Sequence, residues 1–88
     1  MKVTVLGSHL CPDTMYALMK LKEAGADMDF KNISSEFPAL KAFLKERETN
    51  ELYVSVRENG GIGMPFFTLE NGTQTFDLEL VLKSIQED

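Results

Sequence analysis

Cysteine is nearly absent from this chain of 88 residues, which contains one, Cys11. A single cysteine cannot form an internal disulfide, so an ordinary hydrophobic core must stabilise the fold. No apolar stretch approaches the ~20 residues of a membrane-spanning helix. The first residues also lack the apolar core and cleavage site of a signal peptide. These absences predict a protein of the reducing cytoplasm.

Positive charge is scarce as well. Nine Lys and Arg residues face 14 Asp and Glu residues, which gives a formal net charge of −5. Nucleic acids and anionic membranes need a basic face, so neither is expected as a partner. No cluster of His, Cys and carboxylates has metal-ligand spacing, and no phosphate-cradling glycine motif occurs, so neither a metal nor a bound cofactor is expected. An apolar content of 43% with 26% charged residues is typical of one globular domain, residues 1–88.

The first third of the chain predicts a strand, a helix and a second strand. Lys2–Leu6 is β-branched and short, residues 12–24 are rich in helix formers, and Met28–Lys31 alternates apolar and polar residues. Such a βαβ unit brings its two strands together in parallel. The helix carries apolar Met15 and Met19, for which the pattern predicts core positions.

The remainder predicts a helix, a short helix, a hairpin and a last helix. Ser34 or Ser35 is the expected cap of the second helix. Asn71 and Gly72 between two β-like runs predict a tight type I′ hairpin. Asp77 is expected to cap the last helix, whose apolar stripe consists of Leu78, Val81, Leu82 and Ile85. The resulting class is α/β, with a four-stranded mixed sheet and helices on both faces.

Cys11 lies where the chain leaves the first strand and enters the first helix. Pro12 suits the first helical position, because its missing N–H would be unpaired there. A thiol at this point meets free backbone N–H groups and the positive end of the helix dipole, and both favour the nucleophilic thiolate. Asp13 opposes this effect, since its carboxylate occupies the same positive field. We therefore predict a moderately lowered pKa for Cys11.

Other residues near this point allow two interpretations each. Thr14 could donate its hydroxyl to the Cys11 sulfur or bond its own backbone. His9, the only histidine, could stabilise the thiolate, accept its proton, or be an exposed loop residue. Arg57 could meet a substrate carboxylate or remain solvated. Gly63 could shape its loop or admit a substrate backbone.

The order of elements resembles the thioredoxin fold, and within it the chain is similar to the glutaredoxin family. Small bacterial glutaredoxin-related proteins are the most similar group. The residues that carry the resemblance are Cys11-Pro12-Asp13-Thr14, Met64-Pro65, and Asn71-Gly72 followed by Asp77.

The resemblance implies a role for five of these residues. Cys11 would be the nucleophile of a thiol–disulfide exchange with glutathione as co-substrate. Pro65 would be a cis-proline facing it, and the Met64 backbone would pair with the substrate backbone. Pro12 would contribute to the glutathione site, and Asp77 would lie near the γ-glutamyl group.

The chain departs from the family pattern at several positions. Thr14 replaces the second cysteine of a dithiol motif, so the route would be monothiol, on glutathione mixed disulfides or a protein partner. Ser8 stands where glutaredoxins commonly have lysine, and Thr75-Phe76 occupies the place of a glycine pair. The motif also differs from the Cys-Gly-Phe-Ser signature of iron–sulfur carriers. A non-enzymatic binding or adaptor module with weak or no glutathione use is the alternative.

Overall fold

A computed structural model describes residues 1–87 as one mixed sheet with flanking helices. In chain order the elements are β1 (Lys2–Gly7), α1 (Pro12–Glu23), β2 (Asp27–Asn32), α2 (Phe37–Thr49), a 3₁₀ turn (Glu51–Tyr53), α3 (Val54–Glu58), β3 (Phe66–Leu69), β4 (Gln74–Thr75) and α4 (Leu78–Glu87). This order agrees with the one that the sequence predicts. No helix in this part of the chain is long and apolar enough to cross a membrane.

The sheet has the strand order β2-β1-β3-β4 across the described residues. β1 pairs with β2 in parallel, which requires a crossover connection, and α1 provides it. β1 pairs with β3 in the antiparallel sense, with Leu6 opposite Phe66. The end of β1 therefore lies beside the start of β3. Consequently the segment that follows β1 and the segment that precedes β3 meet at the same end of the sheet.

Helices cover both faces of the sheet. Alternate residues of each strand point to opposite sides, so each face presents apolar side chains that a helix can cover. On one face the strands pack against α1 and α4; the buried residues are Val3, Val5, Ala17, Leu21, Phe67, Leu69 and Val81. On the other face Leu6, Phe43, Tyr53 and Phe66 are buried together. The Tyr53 ring lies at the centre of this second core, with centroids 5.1 Å from Phe66 and 4.9 Å from Phe76.

The prediction that Met15 and Met19 belong to the core is wrong. Their side chains are 47% and 52% exposed, whereas α1 buries Thr14, Ala17 and Leu21. The two sets of residues have similar helical spacing, so periodicity does not choose between them. Small residues on the inner face allow α1 to approach β1 closely, and this packing determines which side of the helix is buried.

The predicted cap of α2 is also wrong. α2 begins after Glu36, which has an extended backbone and makes no capping hydrogen bond with its side chain. Ser35 and Glu36 instead donate their N–H groups to the Asn32 carbonyl in a turn. Ser34 Oγ is bonded to Ser8 Oγ, so this serine connects two loops rather than starting the helix.

The hairpin between β3 and β4 is present, but its turn is not type I′. That turn needs a positive φ at both central residues, and in residues 1–87 no residue other than glycine has one. The Gly72 N–H donates to the Leu69 carbonyl at 2.9 Å, so the turn is placed one residue earlier than expected. Asn71 Oδ1 accepts the Thr73 N–H at 3.0 Å, and Gly72 alone takes the positive φ, 91°.

Candidate active site

Cys11 is the residue that precedes the first turn of α1. Its backbone is extended, with φ −95° and ψ 116°, and Pro12 occupies the first helical position as predicted. The Cys11 N–H donates to the Ser8 carbonyl at 3.0 Å, and its carbonyl accepts the Met15 N–H at 3.1 Å. Its side chain is half-buried. The backbone of Cys11 is thus held on both sides while its sulfur remains accessible.

The surroundings of the thiol favour its ionised form. Cys11 makes no capping hydrogen bond of ordinary geometry. The Thr14 hydroxyl nevertheless lowers the pKa of the Cys11 thiol most, and the backbone N–H groups of Thr14 and Asp13 lower it further. Partial burial and the Asp13 carboxylate oppose them, and the net shift is downward. The direction of the shift is the one that the sequence predicts, but its largest cause is the Thr14 hydroxyl rather than the N–H groups of the helix start.

Thr14 is fixed next to Cys11 by close packing. Its side chain is completely buried, and a Cβ atom placed on Gly7 would lie 2.6 Å from Thr14 Oγ1 and Cγ2. Thr14 Oγ1 is also 3.5 Å from the Ser8 N–H, a long hydrogen bond in which the hydroxyl oxygen accepts. The hydroxyl proton is then available to the sulfur. Because this hydroxyl lowers the pKa of Cys11 most, the interpretation in which Thr14 acts on the Cys11 sulfur is favoured.

Ser8 organises the loop that carries Cys11. Its side chain is 5% exposed, and its Oγ accepts the Leu10 N–H at 3.0 Å and bonds to Ser34 Oγ. Ser34 thereby connects the segment after β2 to the segment after β1. Sequence reasoning missed this contact, because the two serines are 26 residues apart and neither lies in a recognisable motif.

His9 is exposed and held by Asn32. Asn32 Oδ1 accepts the backbone N–H groups of His9, at 3.4 Å, and of Ser34, at 3.1 Å. The Asn32 amide nitrogen therefore faces the ring, 2.9 Å from His9 Nδ1, which accepts its hydrogen bond. The groups that lower the pKa of Cys11 belong to Thr14 and Asp13. Of the interpretations given to His9, the exposed loop residue agrees best with this geometry.

The segment before β3 reaches Cys11 through a rigidly held loop. The Met64–Pro65 peptide bond is cis, as expected. Gly63 has a φ of +82°, and a side chain there would collide with the Tyr53 ring. The Tyr53 hydroxyl donates to the Gly63 carbonyl at 2.6 Å, and burial raises the pKa of this hydroxyl, so it remains a donor. Arg47 Nη2 adds a hydrogen bond of 2.7 Å to the Gly61 carbonyl.

Arg57 is half-buried and binds backbone carbonyl groups rather than being directed at the site. Its Nη1 donates to the carbonyl oxygens of Arg47, at 2.6 Å, and of Asn50, at 3.3 Å. The guanidinium thus joins the end of α2 to α3. Its effect on the site is indirect, because the same Arg47 holds the loop before Met64.

Two open cavities flank the segment Gly63–Met64. The first, of about 580 Å³, is lined by Ser8, Leu10, Cys11, Ile33, Ser34, Ile62, Gly63 and Met64. The second, of about 430 Å³, is lined by Asp13, Tyr16, Ala17, Val56, Gly63, Met64, Pro65, Phe76 and Leu78. The walls, all within residues 1–87, contain one charged side chain, that of Asp13, and no Lys or Arg. Cys11 therefore opens into a largely apolar groove.

Asp77 caps α4, as predicted. Its Oδ1 accepts the Glu79 N–H at 3.0 Å and the Leu80 N–H at 3.5 Å. Phe76 and Leu78 on either side of it line the second cavity, whereas Asp77 is in the wall of neither. The structure thus brings Cys11, Pro12, Thr14, Met64 and Pro65 to one end of the sheet, with Asp77 beside them.

The described residues contain no group of three or more His, Cys, Asp and Glu side chains arranged to hold a metal ion. Iron–sulfur clusters are held by several cysteine thiolates, and this chain supplies one. The chemistry available at the site is that of a single thiol beside hydroxyl groups and backbone amides.

Comparison with known proteins identifies a relative but no described activity. A Haemophilus influenzae protein, described as an uncharacterized protein, is 34% identical over 71 residues, which cover 81% of this chain and 83% of that protein. No family model matches the chain. No solved structure matches it significantly. From the identity and the coverage, the chain belongs to the same protein family as this Haemophilus influenzae protein.

Proposed function

We propose that this protein is a glutaredoxin-like thiol–disulfide oxidoreductase that works through Cys11 alone, on a thioredoxin-like fold. The observation that carries the proposal is the position of the Cys11 thiol. It lies at the start of α1, its pKa is lowered chiefly by the Thr14 hydroxyl, and it opens into a cavity. The mixed sheet and the cis bond before Pro65 agree with this fold.

The proposed reaction is two successive thiol–disulfide exchanges without a bound cofactor. The Cys11 thiolate attacks one sulfur of a mixed disulfide, R–S–S–R′. The bond between Cys11 Sγ and R–S forms, the S–S bond breaks, and R′–S⁻ leaves and takes up a proton from water. An external thiolate then attacks R–S, which restores the Cys11 thiolate. Glutathione is the proposed external thiol, and the reducing cytoplasm would supply it.

The neighbouring residues have distinct parts in this proposal. The Thr14 hydroxyl and the N–H groups of Asp13 and Thr14 stabilise the thiolate before attack and when Cys11 leaves in the second step. Pro12 contributes no N–H of its own and supports the helix start. Met64 and Pro65 hold the substrate against the sulfur. Thr14 in place of a second cysteine makes the external thiol necessary.

The pH dependence of Cys11 alkylation tests the electrostatic basis of the proposal. Iodoacetamide reacts with the thiolate, so its rate should rise with pH and level off above the pKa of Cys11. Because the pKa is lowered, the midpoint should lie below that of a free cysteine measured in the same way. A midpoint at or above that value would remove the basis for catalysis.

A reductase assay tests the activity itself. A mixed disulfide, glutathione, glutathione reductase and NADPH are combined with the wild-type protein, and NADPH consumption is followed. The wild type should accelerate the reaction over the uncatalysed rate, and Cys11→Ser should return it to that rate. Equal rates for both proteins would contradict the proposal.

A non-enzymatic adaptor module on the same fold is the second candidate. The observation that favours it is the lack of Lys and Arg in the two cavity walls, all of which belong to the described residues. A glutathione carboxylate would find no cationic partner there. If the protein is an adaptor, the Cys11→Ser variant should bind the partner as tightly as the wild type does. If it is an oxidoreductase, the wild type should form a disulfide-linked complex that the Cys11→Ser variant cannot form.

A further inference from the structure

We propose that Cys11 acts on the mixed disulfide of a polypeptide cysteine rather than on that of glutathione. The polypeptide is extended, and the residues next to its cysteine are apolar and not acidic. The inference rests on the proposed function and specifies its substrate class. In the first step, the bond between Cys11 Sγ and the polypeptide sulfur would form, the S–S bond of the mixed disulfide would break, and the other half would leave as a thiolate and take up a proton from water. The external thiol would then release the polypeptide as a new mixed disulfide.

The first argument is the chemistry of the cavity beside the sulfur. Its large side chains are those of Leu10, Ile33, Ile62 and Met64. Its two serines, Ser8 and Ser34, form a hydrogen bond with each other. Glutathione has two carboxylates and one ammonium group, whereas these walls offer no cation. Burial of a carboxylate without a partner is unfavourable, so this cavity favours a neutral, apolar occupant.

The second argument is the exposure of the rim. Leu10 is 74% exposed and Ile62 is 60% exposed, and both line the first cavity. Single exposed apolar residues are ordinary, but two of them at the mouth of one apolar cavity form a surface that an apolar partner can cover. Glutathione has no apolar side chain and would leave most of this surface in water.

The third argument is the unpaired backbone between the two cavities. The N–H and C=O groups of Met64 make no hydrogen bond within residues 1–87. An extended polypeptide beside Met64 can pair with these groups, and its alternate side chains then point to opposite sides. Since the cavities lie on the two sides of Gly63–Met64, a polypeptide of several residues can fill both.

Charge gives the fourth argument. The charged residue in the two walls is Asp13, and the chain as a whole has a net charge of −5. An acidic substrate would be repelled, and a lysine or arginine near the reacting cysteine would be attracted. Glutathione, with its net negative charge, is again disfavoured.

The test compares probes that share one leaving group, 2-thiopyridine, each joined to it as a mixed disulfide. The probes are glutathione, the blocked peptides Leu-Cys-Leu-Lys and Glu-Cys-Glu-Lys, and 2-mercaptoethanol as a small reference. Attack of the Cys11 thiolate on the probe sulfur releases 2-thiopyridone, whose absorbance gives the rate. Mass spectrometry of the protein identifies the adduct.

Each rate is divided by that of the small reference, which cancels differences in thiolate content. We expect the ratio for the Leu peptide to exceed that for glutathione by about tenfold, equivalent to roughly 1.4 kcal/mol. The Glu peptide should resemble glutathione. A ratio for glutathione equal to or above that of the Leu peptide would overturn this inference and leave the proposed function standing. No reaction of Cys11 with the small reference would overturn both.

A matched pair of variants locates the recognition surface. Leu10→Glu places a carboxylate in the rim of the first cavity, and Leu44→Glu makes the same change on α2, where Leu44 is 43% exposed and lines neither cavity. Leu10→Glu should lower the ratio for the Leu peptide by about tenfold, close to the lower end of what full burial of one leucine contributes. Leu44→Glu should not change it. Equal effects of the two variants would contradict the proposed surface.

Discussion

The starts of α1 and α4 differ in the side chain that faces the N–H groups of the first turn. Both helices leave N–H groups without partners in their first turn, and both carry an acidic residue at the second helical position, Asp13 and Glu79. At α4, Asp77 closes the turn by accepting the Glu79 N–H at 3.0 Å. At α1, Cys11 makes no capping hydrogen bond of ordinary geometry.

The difference shows what the start of α1 gives up in stability. An acidic or hydroxyl cap contributes about 1 kcal/mol to a helix, and α1 lacks it. In exchange, the N–H groups that a cap would satisfy lower the pKa of the thiol. The third helical positions differ as well, since Thr14 adds a hydroxyl where α4 has Leu80. The start of α4 is capped by a carboxylate, whereas the groups at the start of α1 lower the pKa of a thiol.

The largest effect is expected when the start of α1 is made like that of α4. Cys11→Asp should abolish alkylation and exchange, since no thiol remains. Its carboxylate should accept the first-turn N–H groups, so its free energy of unfolding should exceed that of Cys11→Ala by about 1 kcal/mol. Urea unfolding of the two variants measures the difference. Equal stability would mean that these N–H groups are not available to a side chain at position 11.

The next largest effect should come from the third helical position. Thr14→Val keeps the shape of the buried side chain and removes the hydroxyl that lowers the pKa of Cys11 most. The pKa should rise, so the alkylation rate at pH 7 should fall several-fold, while the rate at alkaline pH, where the thiol is fully ionised, should not change. Thr14→Ser keeps a hydroxyl and is the matched control.

Gly7 provides an independent way to disturb the same hydroxyl. Gly7→Ala places a Cβ against Thr14 Oγ1 and Cγ2 and must displace that side chain. Overpacking of this kind costs about 1–3 kcal/mol of stability. The pKa of Cys11 should rise, as in Thr14→Val. An unchanged midpoint of alkylation in both variants would contradict the role given to Thr14.

The cap of α4 should affect stability and leave the thiol alone. Asp77→Ala removes the acceptor of the Glu79 N–H and should lower the free energy of unfolding by about 1 kcal/mol. The iodoacetamide reaction of Cys11 should keep its rate and its pH dependence. A changed pH dependence would mean that the two helix starts are coupled.

The smallest effect on the pKa of Cys11 is expected from Asp13, the acidic residue at the second position of α1. The Asp13 carboxylate raises the pKa of Cys11 and is the weakest of the contributions to it. Asp13→Asn should therefore lower that pKa slightly, and alkylation near pH 7 should accelerate by less than Thr14→Val slows it. The free energy of unfolding should fall by about 0.5 kcal/mol, because the Asp13 carboxylate also interacts favourably with the helix dipole. A slower reaction would contradict the sign assigned to Asp13.

The order of elements and the place of Cys11 were predictable, because they depend on local patterns. Strand and helix periodicities, Pro12 at the helix start and Asp77 as a cap each operate within a few residues. The predicted position of the hairpin turn was wrong by one residue. The side chain of Asn71 accepts the Thr73 N–H, and Gly72 alone takes the positive φ. The prediction of which face of α1 is buried was wrong, because Met15 and Met19 have the same four-residue spacing as the buried Ala17 and Leu21.

The amino-acid sequence by itself determined that there is one thiol, that a helix begins after it, and that no second cysteine can resolve a disulfide. Only the tertiary structure decided what surrounds that thiol. Ser8 reaches Ser34, Tyr53 holds Gly63, and Gly7 admits Thr14 through contacts that pattern does not reveal. The physical reason is that capping and periodicity act along the chain, whereas the pKa of a thiol and the shape of its cavity depend on groups that folding brings together.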